Sequence, residues 1–251
     1  MGYSINGAVF EKYFEEEQIT RIETSDGFGT ARVVEDYFFV PNGVEEIARE
    51  AFAKCGTLKT IVIPEGVKKI HRRAFYENRV VEEIILPQSL MEIGDGAFWG
   101  CKKLKSITIP EGVTCIEKHV FKECISLEKI DLPSRMSKID DYAFFHCSSL
   151  KTVIIPEGVT EIGKQAFESS YQIEQLQLPS TLIKIGRMTF AGCNKIQMVK
   201  LPQSIKELGA GCFSANIEEI YIPKGAVKHI DKYYTDYLLS GTFKKSKIIE
   251  Y

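Results

Sequence analysis

Hydrophobic positions in this chain recur every 23 residues. Counting from Pro41, Pro64, Pro87, Pro110, Pro133, Pro156, Pro179 and Pro202, a phenylalanine stands eleven positions on in every case, from Phe52 through Phe98 and Phe144 to Phe213. An aliphatic residue stands six positions on, from Ile47 and Ile70 to Leu208. The approach to each proline follows L-x-x-I-x-I, as in Leu58, Ile61 and Ile63 or Leu104, Ile107 and Ile109. The last alternating residues have the two-residue period of a strand, and a proline closing the strand removes a ladder donor only at its end. A fixed period of this length marks stacked supersecondary units, each burying its apolar side chains only against its neighbours. The pattern therefore predicts a solenoid whose strands stack into one parallel sheet and whose phenylalanines form an internal column. The Ala-Phe-x-x-Cys stretches, such as Ala97 to Cys101, are too short for a full helix and are expected as single α or 3₁₀ turns on the opposite face.

An open solenoid end exposes core and unpaired strand edge, so covers are expected at both ends. Phe10, Tyr13 and Phe14 fall at helical spacing, and Ile19 to Glu23 alternates before a turn signal at Asp26 and Gly27. This reads as a helix and hairpin capping residues 1–36. Repeats follow over 37–223, where Pro223 closes a shortened repeat 21 residues after Pro202. The segment 224–251 reads as a C-terminal cap. In it Val227, Ile230, Tyr234 and Tyr237 mark one helix face, and Ile248 to Tyr251 a last strand-like piece. The whole is expected to be one continuous domain.

Repeats such as "LKTVIIPEGVTEIGKQAF" (Leu150 to Phe167) and "AFWGCKKLKSITIPEGV" (Ala97 to Val113) resemble the BspA-like leucine-rich repeats, also called the Treponema pallidum type. The segment Ile220 to Tyr251 is similar to that family's terminal cap. The resemblance runs from about Tyr37 to the end, and a recurring motif is far more specific than a single match. It implies an α/β fold, a right-handed leucine-rich-repeat solenoid of bacterial or protist type, often surface-displayed and used in adhesion. It implies no catalytic residue to carry over.

Composition narrows the partners. The chain has 251 residues, 44% hydrophobic and 26% charged, with a net charge of -2. That balance lacks the clustered Lys and Arg that nucleic acid demands, so no nucleic-acid partner is expected. No apolar run is long enough to span a bilayer, so no membrane insertion is expected. The first residues lack a signal-peptide core. The expected location is cytoplasmic if Met1 is the native start, and cell surface or secreted if an export signal was removed.

The candidate chemistry is sparse. Cys55, Cys101, Cys124, Cys147 and Cys193 all lie fourteen after a proline, where Asn78, Ser170 and Asn216 fill the remaining slots. They are expected as a ladder of buried thiols packing as small hydrophobes, with side chains parallel rather than converging on a metal. Seven cysteines, an odd number, also argue against a full disulfide framework. Cys115 and Cys212 fall off this ladder. His71, His119, His146 and His229 occupy four different repeat positions and are expected as single solvated residues. No phosphate-binding loop, metal-spaced cluster or serine elbow is present in the sequence. The expectation is therefore no catalytic site, no metal and no cofactor.

Two features carry more information. Five residues before successive prolines stand Asp36, Lys59, Glu82, Lys105, Glu128, Lys151, Glu174, Gln197 and Glu218, an alternation that places Lys between acidic neighbours in a parallel stack. Coils with Lys there carry "IPEGV" and coils with Glu carry "LP", giving an effective period of 46 residues. The second feature is the outward strand positions two and four before each proline, which include Tyr37, Phe39, Val62, Ile85, Ile154, Met198 and Tyr221. An apolar patch there is of the kind that marks an interaction site. Strand propensity alone, or an N-terminal segment folded over the patch, explains the same residues. The functional expectation is a non-catalytic scaffold binding a protein or peptide ligand through the strand face. The alternative is a surface adhesin for host matrix or glycan.

Overall fold

From Pro41 to Pro202 each coil contributes two short strands and a run of tight turns. The computed structural model describes residues 2–5, 8–11, 21–24, 27–30, 32–34, 37–40, 42–214, 216–224 and 247–251. The first strand ends two residues before its proline, as in Thr60–Val62 and Thr152–Ile154. After the proline turn a second strand of two residues carries the inward aliphatic side chain, as in Lys69–Ile70 and Glu161–Ile162. Equivalent strands of adjacent coils pair in parallel, residue 23 onto its counterpart, for example Ile61 with Ile84 and Ile139 with Ile162. The stack is thus the expected β-solenoid. It has two strand rows rather than one parallel sheet, because the residues around each inward isoleucine are themselves extended and laddered.

The opposite face is not helical. In the Pro64 coil the Ala74 N–H bonds the His71 carbonyl at 3.2 Å, and the Asn78 N–H bonds the Phe75 carbonyl at 3.2 Å. The Tyr76 N–H likewise bonds the Arg73 carbonyl at 3.0 Å, while the alternate N–H groups reach the next coil, Phe75 to the Ala97 carbonyl at 2.7 Å and Glu77 to the Trp99 carbonyl at 2.7 Å. Arg73 and Glu77 hold φ of 57° and 51°, each at the third position of its turn, which is a type II signature. Two left-handed residues four apart interrupt any α or 3₁₀ run. The expected single helical turns are therefore replaced by tandem tight turns that form a third cross-coil ladder.

The phenylalanine column is a continuous internal stack. Successive rings from Phe52 to Phe213 lie 4.9 to 5.6 Å apart between centroids and within 16° of parallel. Phe38 closes the column edge-on against Phe52 at 5.3 Å. Around it pack the buried aliphatics, among them Ile61, Ile70, Leu104, Ile116 and Leu150.

At the N-terminal end, Gly2–Ile5, Ala8–Glu11, Arg21–Thr24 and Gly27–Thr30 form a four-stranded antiparallel sheet. Phe10 is therefore in a strand rather than the expected helix; Tyr13 and Phe14 lie outside the described residues. Arg32–Val34 pairs antiparallel with Tyr37–Phe39 and so extends the first row at its edge. At the other end Lys247–Glu250 pairs in parallel with Glu219–Ile222. The expected helix through Val227, Ile230, Tyr234 and Tyr237 lies outside the described residues.

Candidate binding surface on the strand face

The first-strand row is interrupted at regular places. It pairs through Tyr37–Phe39, Thr60–Val62 and Glu83–Ile85, then Ser106–Thr108 with Lys129–Asp131, then Thr152–Ile154 with Gln175–Gln177, then Met198–Lys200 with Glu219–Ile222. No strand pairing joins Glu83–Ile85 to Ser106–Thr108, Lys129–Asp131 to Thr152–Ile154, or Gln175–Gln177 to Met198–Lys200. These openings recur every 46 residues, so the doubled period seen in the sequence has a structural meaning: coils are fastened in pairs.

Different side chains serve the two kinds of junction. Within a pair, the glutamate of "IPEGV" reaches the next coil's turn. Glu65 accepts the N–H groups of Gln88 at 2.8 Å and Ser89 at 3.1 Å. Glu111 accepts the Ser134 hydroxyl at 2.9 Å and its N–H at 3.1 Å, and Glu157 does the same with Ser180 at 2.8 and 3.1 Å. The hydrogen bonds hold all three carboxyls below their usual range, the Gln88 N–H leading at Glu65, the Ser134 hydroxyl at Glu111 and the Ser180 N–H at Glu157. Between pairs, the expected charge column closes instead: Lys105 to Glu82 at 2.7 Å and Lys151 to Glu128 at 2.9 Å. Glu174 is taken by Lys195 at 2.6 Å, because its counterpart in the column is Gln197. Each ammonium lowers its partner's carboxyl.

The central opening, between the Pro133 and Pro156 coils, is a groove of about 800 Å³. Ile130, Leu132, Ile154 and Pro156 line it as apolar surface. Ile130 and Leu132 pack against the core yet are only half-buried, because the strand on their open side is not laddered to them. Charged rims come from Glu128, Lys129, Asp131, Lys151, Glu111 and Glu157.

The sequence-predicted surface residues separate into groups. Phe39, Val62 and Ile85 are register partners across three strands, so they form one contiguous row. Tyr37 sits on the same strand as Phe39, in register with Thr60. Ile154 lies three coils beyond Ile85, with two polar positions (Thr108, Asp131) between them, in the central groove. Met198 is on the neighbouring outward column beside Glu219, and half-buried Tyr221 donates its hydroxyl to Glu219 at 2.8 Å. The seven are thus not a single patch.

The other candidate residues resolve clearly. All seven cysteines are free thiols, and no cluster of potential metal ligands occurs among the described residues. Cys55 is only half-buried, but the other four ladder thiols do more than fill space, since each donates to the phenylalanine carbonyl of the preceding coil. Cys101 bonds Phe75 at 3.3 Å, Cys124 bonds Phe98 at 3.2 Å and Cys147 bonds Phe121 at 3.1 Å. Ser170 makes the same bond to Phe144 at 3.1 Å, and Asn78 reaches Phe52 at 3.5 Å, which explains why small donors share this slot. Burial raises these thiols, that of Cys193 to about 12, so they are protonated at neutral pH. Half-buried Cys115 is likewise pushed up to about 12, burial first and Glu117 and Asp140 after it.

The described histidines are not solvated singles. His71 pairs with Glu46 at 2.6 Å and His119 with Asp95 at 3.0 Å. His119 also stacks between Trp99 and Tyr142, at 5.6 and 5.2 Å, in an aromatic ridge on the turn face that the repeat spacing alone does not reveal. Lys122 lies 4.4 Å from the Trp99 ring centre. His229 lies outside the described residues. No helix among the described residues is long and apolar enough to cross a membrane.

Six copies of the family model for the BspA type leucine-rich repeat region match the chain, over residues 33–151 and 114–242. Among solved structures, a leucine rich cell surface protein from Faecalibacterium prausnitzii is 20% identical. That match covers 100% of this chain and 94% of the other, with a TM-score of 0.56. A leucine-rich repeat protein of T. pallidum is 22% identical over 93% of this chain and 97% of its own, with a TM-score of 0.51. At these identities the likeness concerns the fold. None of the curated proteins matches the chain.

Proposed function

Because this chain belongs to the BspA-type leucine-rich repeat family, we propose that it is a non-catalytic scaffold that binds a protein or peptide through its strand face. The observation that supports this is the outward apolar set on that face: Ile85, Ile154 and Met198 are 44, 57 and 57% exposed, in a fold that buries most of its repeated aliphatics. Phe39, at 39% exposed, extends the set at the N-terminal end. A scaffold needs such side chains in water, since they gain their hydrophobic stabilisation only on binding. The test is capture of a partner by crosslinking in the source cell, followed by Phe39→Ser with Ile85→Ser and Ile154→Ser with Met198→Ser. Each pair is expected to weaken capture without lowering the melting temperature. Capture unchanged by both pairs would remove the strand face from consideration.

A second reading is adhesion to host matrix or glycan from a cell surface. It is favoured by the Faecalibacterium prausnitzii protein of similar fold, which is described as a cell surface protein. It requires export, so protease treatment of intact cells is expected to degrade the protein. Full protection would exclude it.

A further inference from the structure

We propose that the groove between the Pro133 and Pro156 coils takes an extended segment of another protein, about six residues long, that alternates apolar and basic side chains. This rests on the scaffold reading and names the chemistry of its partner. Three observations carry it.

The first is shape. The lining runs from Glu128 to Ser134 along one coil and from Lys151 to Glu157 along the next, so the groove follows the strands. With the three-residue strand Lys129–Asp131 at its centre, the lining spans at most about 20 Å, the reach of an extended segment of about six residues. The second-strand row stays paired in the same two coils, Lys138 to Glu161 and Ile139 to Ile162. The opening is therefore confined to the first-strand row.

The second is an available backbone donor. Within coil pairs the residue before the proline donates across the junction, Ile109 to the Asp131 carbonyl at 2.9 Å and Ile155 to the Gln177 carbonyl at 3.0 Å. Leu132 occupies the same position but makes no such bond among the described residues. Its N–H is placed to donate to a carbonyl of a strand-like ligand, the main-chain part of β-strand addition. Half-buried Ile130 and Leu132, with Ile154 and Pro156, receive the alternate apolar side chains.

The third is charge. Four carboxylates border the groove, Glu111, Glu128, Asp131 and Glu157, against the ammonium groups of Lys129 and Lys151. Both lysines are committed, Lys129 to Asp131 at 3.0 Å and Lys151 to Glu128 at 2.9 Å. Glu111 and Glu157 remain at the proline end, Glu111 partly offset by Arg135. The rim is thus net acidic. It selects Lys or Arg in the ligand and disfavours acidic segments and phosphate.

The test uses a capped, fluorescently labelled hexapeptide alternating Leu and Arg, with a Leu and Glu peptide and a Ser and Arg peptide as comparisons, read by anisotropy on the full chain. Only the Leu and Arg peptide is expected to bind well, more weakly as salt rises. Ile154→Ser is expected to weaken it about tenfold or more, from the lost burial of one aliphatic side chain. Tyr171→Ser, at an exposed site that does not line the groove, is expected to leave binding unchanged. An unchanged melting temperature for Ile154→Ser excludes misfolding as the cause. Equal binding of the Leu and Glu peptide, or binding indifferent to Ile154→Ser, overturns the proposal. If the peptides fail while serine substitutions on the strand face still abolish capture of the cellular partner, the scaffold reading stands and the groove's assigned chemistry falls.

Discussion

The turn face and the strand face of this solenoid are built from the same 23-residue unit, yet they join neighbouring coils differently. On the turn face every junction is bonded through the backbone: Phe52 to Ala74, Phe75 to Ala97, Phe98 to Val120, Phe121 to Ala143, Phe144 to Ala166, Phe167 to Thr189 and Phe190 to Cys212, all between 2.7 and 3.0 Å. On the strand face three junctions lack strand pairing. At two of them Lys105 to Glu82 and Lys151 to Glu128 make long backbone bonds of 3.3 and 3.4 Å. Register is therefore held by the turns and the phenylalanine column, with the second-strand row added at two of the three open junctions. That leaves the first-strand row free to open, with half-buried leucines beside outward aliphatics. In a fold named for its strands, the continuous ladder is the one without them.

The sharpest way to break this comparison is to remove the column. Phe144 is fully buried and stacked on both sides, at 5.3 Å from Phe121 and 4.9 Å from Phe167. Phe144→Ala is expected to cost about 3 to 5 kcal/mol in chemical denaturation, as a cavity-forming core change. Ile154→Ser on the strand face is expected to fall within about 0.5 kcal/mol of the parent. Similar losses at the two sites would mean that the strand face carries the stack as much as the column does.

Much of this was legible in the sequence, and the rest was hidden for specific reasons. The column was readable because Phe52 to Phe213 keep one residue type at one spacing. The turn face was misread as helical because its left-handed positions are seldom glycine. Gly96, Gly100, Gly192 and Gly211 announce them, whereas Glu50, Lys54, Arg73, Glu77, His119 and Tyr142 adopt the same φ without the usual signal. The second strand escaped notice because it is two residues long. Its outward column of Glu46, Lys69, Glu92, Cys115, Lys138, Glu161, Lys184 and Glu207 nevertheless alternates in charge, broken only at Cys115, and would have marked it. Lys184 sits between Glu161 and Glu207 at 3.3 and 3.7 Å, as such a column requires. On the candidate surface, the row of Phe39, Val62 and Ile85 follows from register alone. The groove at Ile154 does not, because its origin is a missing backbone pairing and no side-chain pattern encodes that directly.

The turn face can also be probed through its thiols. Cys147 donates to the Phe121 carbonyl from a fully buried site. Cys147→Val removes the donor in exchange for one extra carbon, leaving that carbonyl with the Cys124 N–H at 3.2 Å alone, at an expected cost of about 0.5 to 1.5 kcal/mol. Cys147→Ser restores the donor found naturally at Ser170 and is expected to cost less than the valine variant. The ordering, read from denaturation midpoints, separates hydrogen bonding from packing: if serine proves worse than valine, the ladder thiols act as hydrophobes only.

The smallest effects distinguish the two kinds of strand-face junction by their pH dependence. Glu65, Glu111 and Glu157 fasten coils within a pair and have lowered carboxyl pKa values. Their contribution is present above the ordinary value of 4.5 and is lost as pH falls through the lower folded values. Between pairs, Glu82 and Glu128 behave in the same way in acid, but their partners Lys105 and Lys151 are raised above 10.5. The lysine contribution is complete below 10.5 and disappears as pH climbs through the raised values. Within the first-strand row, acid therefore loosens both junction types, whereas alkali acts on the two junctions closed by Lys105 and Lys151. Stability measured against pH is expected to lose part of its acid-side slope in Glu111→Gln and none of its alkaline-side slope. Lys151→Met is expected to flatten the alkaline side, and to reduce the dependence on salt, because exposed ion pairs are screened. An alkaline slope unchanged by Lys151→Met would show that the ion pairs do not fasten the open junctions, leaving the turn face, the second-strand row and the phenylalanine column to hold coil pairs together.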